Sequence, residues 1–284
     1  LQDFSMSYAL SHDIAVAEVR DEFEDAFARI WSGEAENDSF NRLLLGTQLN
    51  WREIALLRAY ARYLRQLQFP FSVEYVAETL ADHLHITATI VELFLTRFSP
   101  DFDGDDSFRE ARERAIEQRI LDALEQVPNL GQDRIIRQFV CVVKATLRTN
   151  FFQFDAQGEL KAYFSFKLRP AAIPEVPQPV PLYEIYVYSP RVEGVHLRGG
   201  KVARGGLRWS DRLEDFRTEV LGLVKAQQVK NAVIVPVGAK GGFVARQLHG
   251  GMSRNEVQDE GVACYQLFVR ALLDITDNRV ASAI

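Results

Sequence analysis

Apolar residues recur at helical spacing through the first half of the chain. Trp51, Ile54, Leu57, Ala61 and Leu64 fall on one face of a helix that Asn50 and Glu53 are placed to cap, and Phe69-Pro70 stops the pattern. Ile116, Ile120, Leu124 and Val127 make the stripe of a second helix, opened at Ser107. After a break at Pro128 to Gly131, the residues Ile135, Ile136, Phe139, Val140, Val143 and Leu147 continue in a third, which Asn150 is placed to end. From Phe151 the period drops to two. Phe151 to Asp155, a turn at Ala156-Gln157-Gly158, and the alternation of Ala162, Phe164, Phe166 and Leu168 with Tyr163, Ser165 and Lys167 predict a hairpin with one buried face. Pro170, Pro174, Pro177, Pro179 and Pro181 stiffen a connector, and Tyr183 to Tyr188 is the next strand.

The last third alternates between the two periods. A glycine-rich turn (Gly199, Gly200, Gly205, Gly206) leads to a helix start at Ser210-Asp211, with Leu213, Phe216, Val220, Leu223 and Val224 on one face. Asn231 to Pro236 reads as a short strand buried on both sides, and Gly238-Ala-Lys-Gly-Gly242 as the loop after it. The pattern predicts an α/β protein (α+β overall): a mainly helical region over 1–150, a hairpin and proline-rich connector over 151–182, and an α/β part with a mixed sheet over 183–284.

Composition narrows the function classes. With 47% apolar and 25% charged residues in 284, this is the balance of a folded globular chain. A net charge of -6 provides no global basic field for nucleic acid, and no run of eighteen apolar residues provides a membrane span. The absence of a basic, apolar leader points to the cytoplasm. Cys141 and Cys264 each stand alone in apolar surroundings, as buried thiols in a reducing compartment do. The chain does not begin with Met, so it is expected to be a piece of something longer.

One stretch reverses the charge. Between Lys201 and Lys240 lie eight basic residues against four acidic ones. Mixed charge on a helix is usually a solvated surface, but Lys230 directly precedes the apolar run and Lys240 follows it between glycines, where a ligand can approach closely. Other motifs carry less. Gly238 to Gly242 lacks the spacing of a nucleotide phosphate loop, and no G-x-G-x-x-G follows a strand. Asp101 to Asp106 has neither the glycine nor the final glutamate of a calcium loop and reads as a helix–helix connection. His83 and His85 have no third ligand near them in sequence, so no metal site is expected, and Ser210 has no histidine partner in sequence reach.

Ala203-Arg-Gly-Gly-Leu-Arg-Trp-Ser-Asp-Arg212 and Val229-Lys-Asn-Ala-Val-Ile-Val-Pro-Val-Gly-Ala-Lys-Gly-Gly-Phe243 resemble the substrate-binding domain of glutamate dehydrogenases, and most closely that of the very large bacterial NAD-dependent class. The resemblance is strongest over roughly 195–245. It implies that Arg204 pairs with the side-chain carboxylate of the substrate, that Lys230 binds its α-carboxylate, that Gly205 and Gly206 belong to the substrate-binding set, and that Lys240 is the catalytic lysine. It further implies oxidative deamination of L-glutamate to 2-oxoglutarate and ammonia in glutamate catabolism, NAD as cofactor, and a homo-oligomer in the full-length protein. Chemistry agrees, since a dicarboxylate needs two separated cations and a third lysine can polarise a carbonyl or activate water. Arginine at 204 departs from the small enzymes, which have lysine there, so the carboxylate must be met with different geometry. The family's catalytic aspartate and its NAD-binding lobe are expected beyond Ile284, leaving the cofactor-binding residues unknown. Two alternatives remain open: a related amino acid dehydrogenase with another substrate, which would place an apolar residue at 204, and a catalytically silent interaction or assembly domain.

Overall fold

The computed structural model describes residues 16–201, 205–230 and 238–276. Among these, the helices are α1 (Val16–Trp31), α2 (Leu43–Thr47), α3 (Trp51–Gln66), α4 (Val73–Asp82), α5 (Leu84–Phe98), α6 (Asp106–Leu124), α7 (Leu130–Ala145), α8 (Phe216–Lys230) and α9 (Arg254–Leu273). The strands are β1 (Thr146–Thr149), β2 (Phe164–Leu168), β3 (Tyr183–Tyr188), β4 (Val192–Arg198), β5 (Leu207–Trp209) and β6 (Ala239–Ala245). The architecture is α/β, a helical first half followed by a mixed sheet. No described helix is long and apolar enough to cross a membrane.

The helices begin where their caps are. Asn50 accepts from the amides of Arg52 and Glu53 while Glu53 accepts from the Asn50 amide, the reciprocal capping expected from the sequence. α6 is capped by Asp105 and not opened by Ser107, and α7 is capped by Asn129. α7 stops two residues short of Leu147. The Thr146 hydroxyl donates to the Val142 carbonyl at 2.8 Å and meets the Tyr60 hydroxyl at 3.0 Å, while its backbone turns extended and starts β1. Asn150 therefore does not end a helix; it is buried and joins β1 to β2 by accepting from the Ser165 amide at 2.7 Å.

The sheet order is β1-β2-β3-β4-β6-β5, antiparallel except for β5 and β6, which run parallel through α8. The expected hairpin is present only as the isolated bridge between Phe154 and Leu160, because β2 pairs with β1 instead. β3 occupies its expected span. Two further expectations are corrected. Ser210 makes a turn and not a helix start: its hydroxyl accepts from the Arg212 amide and donates to Glu219, and α8 begins at Phe216, leaving Leu213 exposed. Gly238 to Gly242 is not a loop, since Ala239 to Gly242 lie in β6, paired with β4. The expected strand at 231–236 lies outside the described residues.

Each face of the sheet has its own cover. Phe164, Phe166, Tyr186, Tyr188, Val195, Leu197 and Val244 pack with the residues of α3, α5, α7 and α8 in one continuous core, with Tyr60 and Phe94 against Phe166. On the other face Ile185, Val187, Val192 and Phe243 pack against Cys264 and Phe268 of α9. Cys264 is buried, and burial pushes its thiol up to about 12; Cys141 is only half-buried.

Polar groups join the helices to the sheet. Glu36 meets Arg62 and Arg246 at 2.5 Å each and accepts from the Tyr188 hydroxyl, and Glu193 of β4 lies 3.0 Å from Arg246 and 3.4 Å from Arg62. Burial alone would raise the Glu36 carboxyl, but the Arg246 hydrogen bond and charge, with Arg62 and Tyr188, outweigh it and hold it at about 2. A carboxyl depressed from 4.5 contributes stability that is complete above that pH and lost as pH falls toward 2, on the order of 3 kcal/mol here. Denaturant unfolding of Glu36→Gln should therefore show a deficit near 3 kcal/mol at pH 7 that shrinks steadily below about pH 4.5. A deficit independent of pH would show that the ionised carboxylate is not what holds this junction.

Candidate active site

β6 begins beside the segment that holds the first recognition motif. The Gly241 amide donates to the Gly206 carbonyl at 3.1 Å, and the Gly199 amide to the Gly238 carbonyl at 3.1 Å. Gly205 is forced to be glycine, because a Cβ there would fall 1.3 Å from the Ala239 carbonyl oxygen. Gly205 and Gly206 thus run against the backbone on either side of Lys240. Arg204, the next residue in sequence, lies outside the described residues.

The register decides which way Lys240 points. It pairs with Leu197, and Gly242 and Val244 share its face, so its side chain rises on the side covered by α8 and the helical core. It is half-buried and forms no ion pair with a described carboxylate. Gly241 and Gly242 are packing positions: a Cβ on Gly242 would meet Val220 of α8 at 2.5 Å, and one on Gly241 would meet Leu207 of β5 at 2.5 Å. These glycines bring α8 and β5 onto β6 and so fix the strand that carries the lysine.

α8 runs back over β6 so that its last turn lies above the strand start. Val220 sits over Gly242, and seven residues later the amide of Gln227 sits 2.5 Å from where a Cβ on Gly238 would be. Lys230 is the last residue of α8, three beyond Gln227 and therefore on the same helical side; its side chain lies outside the described residues. The Gln227 amide oxygen is buried with no hydrogen-bond partner among the described residues. Sequence reasoning missed this residue. The available signal was its i, i+3 spacing from Lys230, which gains meaning only once Gly238 is known to lie beneath it.

The cations of the 201–240 segment divide by role. Arg208 pairs with Glu219 at 2.6 Å, Arg212 pairs with Asp215, and Arg217 makes a two-pronged contact with Glu184 at 2.7 Å with both side chains fully buried. Three of the eight are thus structural. Glu184, Leu197 and Lys240 occupy one row across β3, β4 and β6, so the buried pair lies two strands from the lysine on the same face. Among the described residues no group of histidines, cysteines or carboxylates is placed to hold a metal ion.

The described residues do not fit a dinucleotide. In the unit β5-α8-β6 the chain enters α8 through Ser210 to Asp215, stabilised by side-chain pairs, where a pyrophosphate would need a glycine turn open to a helix N-terminus. What the arrangement can do is present an amine, a carboxamide and a glycine-lined backbone edge to a small polar molecule.

Comparison with known proteins gives the same region a context. The model of the bacterial NAD-glutamate dehydrogenase catalytic domain matches residues 119–284, and that of glutamate dehydrogenase helical motif 3 matches residues 35–100. The NAD-specific glutamate dehydrogenase of Pseudomonas aeruginosa is 59% identical over 280 residues, which is 98% of this chain and 17% of that protein. Its counterpart in Halomonas elongata is 55% identical over 285 residues, 100% of this chain and 17% of that protein, and the one in Mycobacterium tuberculosis is 51% identical over 263 residues, 90% and 16%. The chain spans about a sixth of the length of these curated relatives.

Proposed function

Because the chain belongs to the bacterial NAD-glutamate dehydrogenase family, we propose that the sheet end marked by Lys240 binds the amino acid in a reaction that converts L-glutamate to 2-oxoglutarate and ammonia, with NAD as hydride acceptor. The observation that carries this reading is the convergence of Gly205-Gly206, the last turn of α8 and Lys240 at one end of β6. The residues described here serve the amino acid, and no step is assigned to a dinucleotide site among them.

The roles are those the family resemblance implies, and the chemistry suits them. Lys230 and Arg204 are the two separated cations a five-carbon dicarboxylate requires, on the α-carboxylate and the distal carboxylate respectively. Gln227 can donate from its amide nitrogen to the α-carboxylate and accept from the neighbouring ammonium with its unpaired oxygen. Lys240 polarises the developing carbonyl and positions the water that releases ammonia. Gly205 and Gly206 hold their backbone against Ala239 and Gly241, so a ligand on that edge lies beside Lys240. The 183–284 stretch is the substrate-binding part of this assignment; a cytoplasmic, homo-oligomeric enzyme is the setting it fits.

Arg204 supplies the test. In the protein carrying this chain, Arg204→Leu should cost about 2–4 kcal/mol of kcat/KM on glutamate, since a desolvated distal carboxylate loses its partner, while L-norvaline, which lacks that group, should lose much less. NADH formation from both substrates measures it. Equal losses would remove the argument for glutamate and favour a dehydrogenase with another substrate.

A further inference from the structure

The face of the sheet opposite Lys240 carries charge that nothing in the described protein neutralises. Arg148, Lys167, Ile185, His196, Gly241 and Leu207 form one row across all six strands, and Tyr183, Arg198 and Ala239 begin the next row toward the same end. α9 crosses part of this face, where Phe268 packs against Gly194 and Phe243; in these two rows Ile185, Gly241 and Ala239 are buried, while Arg148, Lys167, His196 and Arg198 stay half-exposed. The Arg148 guanidinium holds the far end by donating to the Thr276 carbonyl at 2.9 Å, and Arg198 donates to the Lys201 carbonyl at 2.9 Å. Lys167 lies 4.8 Å over the Tyr183 ring.

None of Arg148, Lys167, His196 and Arg198 pairs with a described carboxylate, in a chain whose net charge is -6. The Arg198 Nε and His196 Nδ1 atoms are buried without a hydrogen-bond partner among the described residues. Such a group of cations costs stability through mutual repulsion and unpaired donors unless an anion completes it. Burial and the charges of Arg148 and Arg198 lower the proton affinity of Lys167, and burial and Arg198 depress His196 to about 4, so the ring is neutral at neutral pH and available as a donor.

We propose that Arg148, Lys167, His196 and Arg198 form a binding site for a phosphate-bearing small anion on the α9 side of the sheet. Two guanidinium forks and an ammonium suit a multiply charged oxyanion better than a monocarboxylate. The Tyr183 ring is already covered by Lys167, so the phosphates and not a base are what the site recognises. His196 and Arg198 pair with Gly241 and Ala239, the neighbours of Lys240 in β6, so the anion sits behind the strand that carries the lysine. This site goes beyond the amino-acid site and uses none of its residues.

The test is calorimetric titration of the full chain with inorganic phosphate, pyrophosphate and adenosine diphosphate at constant ionic strength, with the ring signals of His196 followed by NMR. Saturable binding is expected, tighter for the two diphosphates than for phosphate, with a shift of the His196 signals. Equal binding of pyrophosphate and the nucleotide confirms recognition of the phosphates alone, and markedly tighter nucleotide binding would overturn it, because a base would then be recognised. Lys167→Gln and Arg198→Gln should each weaken binding by roughly 10-fold or more, the scale of one charge-assisted hydrogen bond, while Lys167→Arg retains it and Lys240→Ala leaves it unchanged. Melting temperatures of the variants check that they fold. No saturable binding, or binding unaltered in both glutamine variants while they fold normally, would overturn the proposal.

Discussion

Lys240→Ala, introduced into the protein that carries this chain, is expected to lower kcat for glutamate oxidation by about 100-fold or more while weakening substrate binding much less, the scale of losing a positioned acid or base. The reason is positional. Lys240 stands in a strand clamped on both sides, by Leu207 and Val220 against Gly241 and Gly242 and by the pairing with Leu197, so its amine is offered from a rigid element. Lys230→Ala should show the opposite emphasis and mainly raise KM, because a cation on the α-carboxylate acts in ground state and transition state alike. Steady-state kinetics of the two variants separates the roles. If Lys240→Ala kept near-normal turnover and lost only affinity, the lysine would be a binding residue.

The largest effect on stability is expected at Glu184 and Arg217. Both side chains are fully buried, held by two hydrogen bonds of 2.7 Å, and Gln66 accepts from the Arg217 backbone amide beneath them. Glu184→Gln removes one charge and strands the other in the core, which should cost about 3–5 kcal/mol. In a domain of this size that is a fall of roughly 10 °C in melting temperature. Replacing both partners by apolar residues, as in Glu184→Leu with Arg217→Met, should recover most of the loss, because desolvation is then no longer spent on a lone charge. Thermal melts of the single and double variants decide it: a single variant as stable as the parent would mean that the cluster is reached by water and the pair contributes little.

Where a segment met one packing demand, its sequence announced it. Asn50 and Glu53 sit ahead of a clean apolar stripe, and both the cap and α3 are as expected. Tyr183 to Tyr188 is a strand of the expected extent. The segments that were misread answer two demands at once. β6 reads as a loop because Lys240, Gly241 and Gly242 have low strand preference, yet α8 and β5 need glycine there to approach. β4 gave no signal because Glu193 turns inward to Arg246 and Gly194 yields space to Phe268, so the alternation of apolar and polar positions is broken on both faces. β1 follows α7 without a break residue, and only the Thr146 hydroxyl bonding back into the helix marks the change.

The candidate site was legible in the same uneven way. Lys240, Gly205 and Gly206 stand in local motifs, and the structure brings those three together. Gln227 belongs to no motif, and its amide gains a role only through the packing of α8 on Gly238. The charge reversal over 201–240 overstated the number of cations available to a ligand, since Arg208, Arg212 and Arg217 have carboxylate partners. The unneutralised cations Arg148, Lys167 and Arg198, with the neutral His196 among them, leave no mark in the sequence pattern, because they are dispersed along the chain and meet only through strand register.

The most direct test of the central claim, that the substrate is bound at the junction of α8 and β6, is an experimental structure of the protein with 2-oxoglutarate. The keto acid is expected beside Gly205-Gly206, with its carbonyl within about 3.5 Å of the Lys240 Nζ, the separation a reacting pair requires, and its α-carboxylate toward Gln227 and Lys230. A keto acid bound on the α9 side of the sheet, or anywhere that leaves Lys240 untouched, would contradict it.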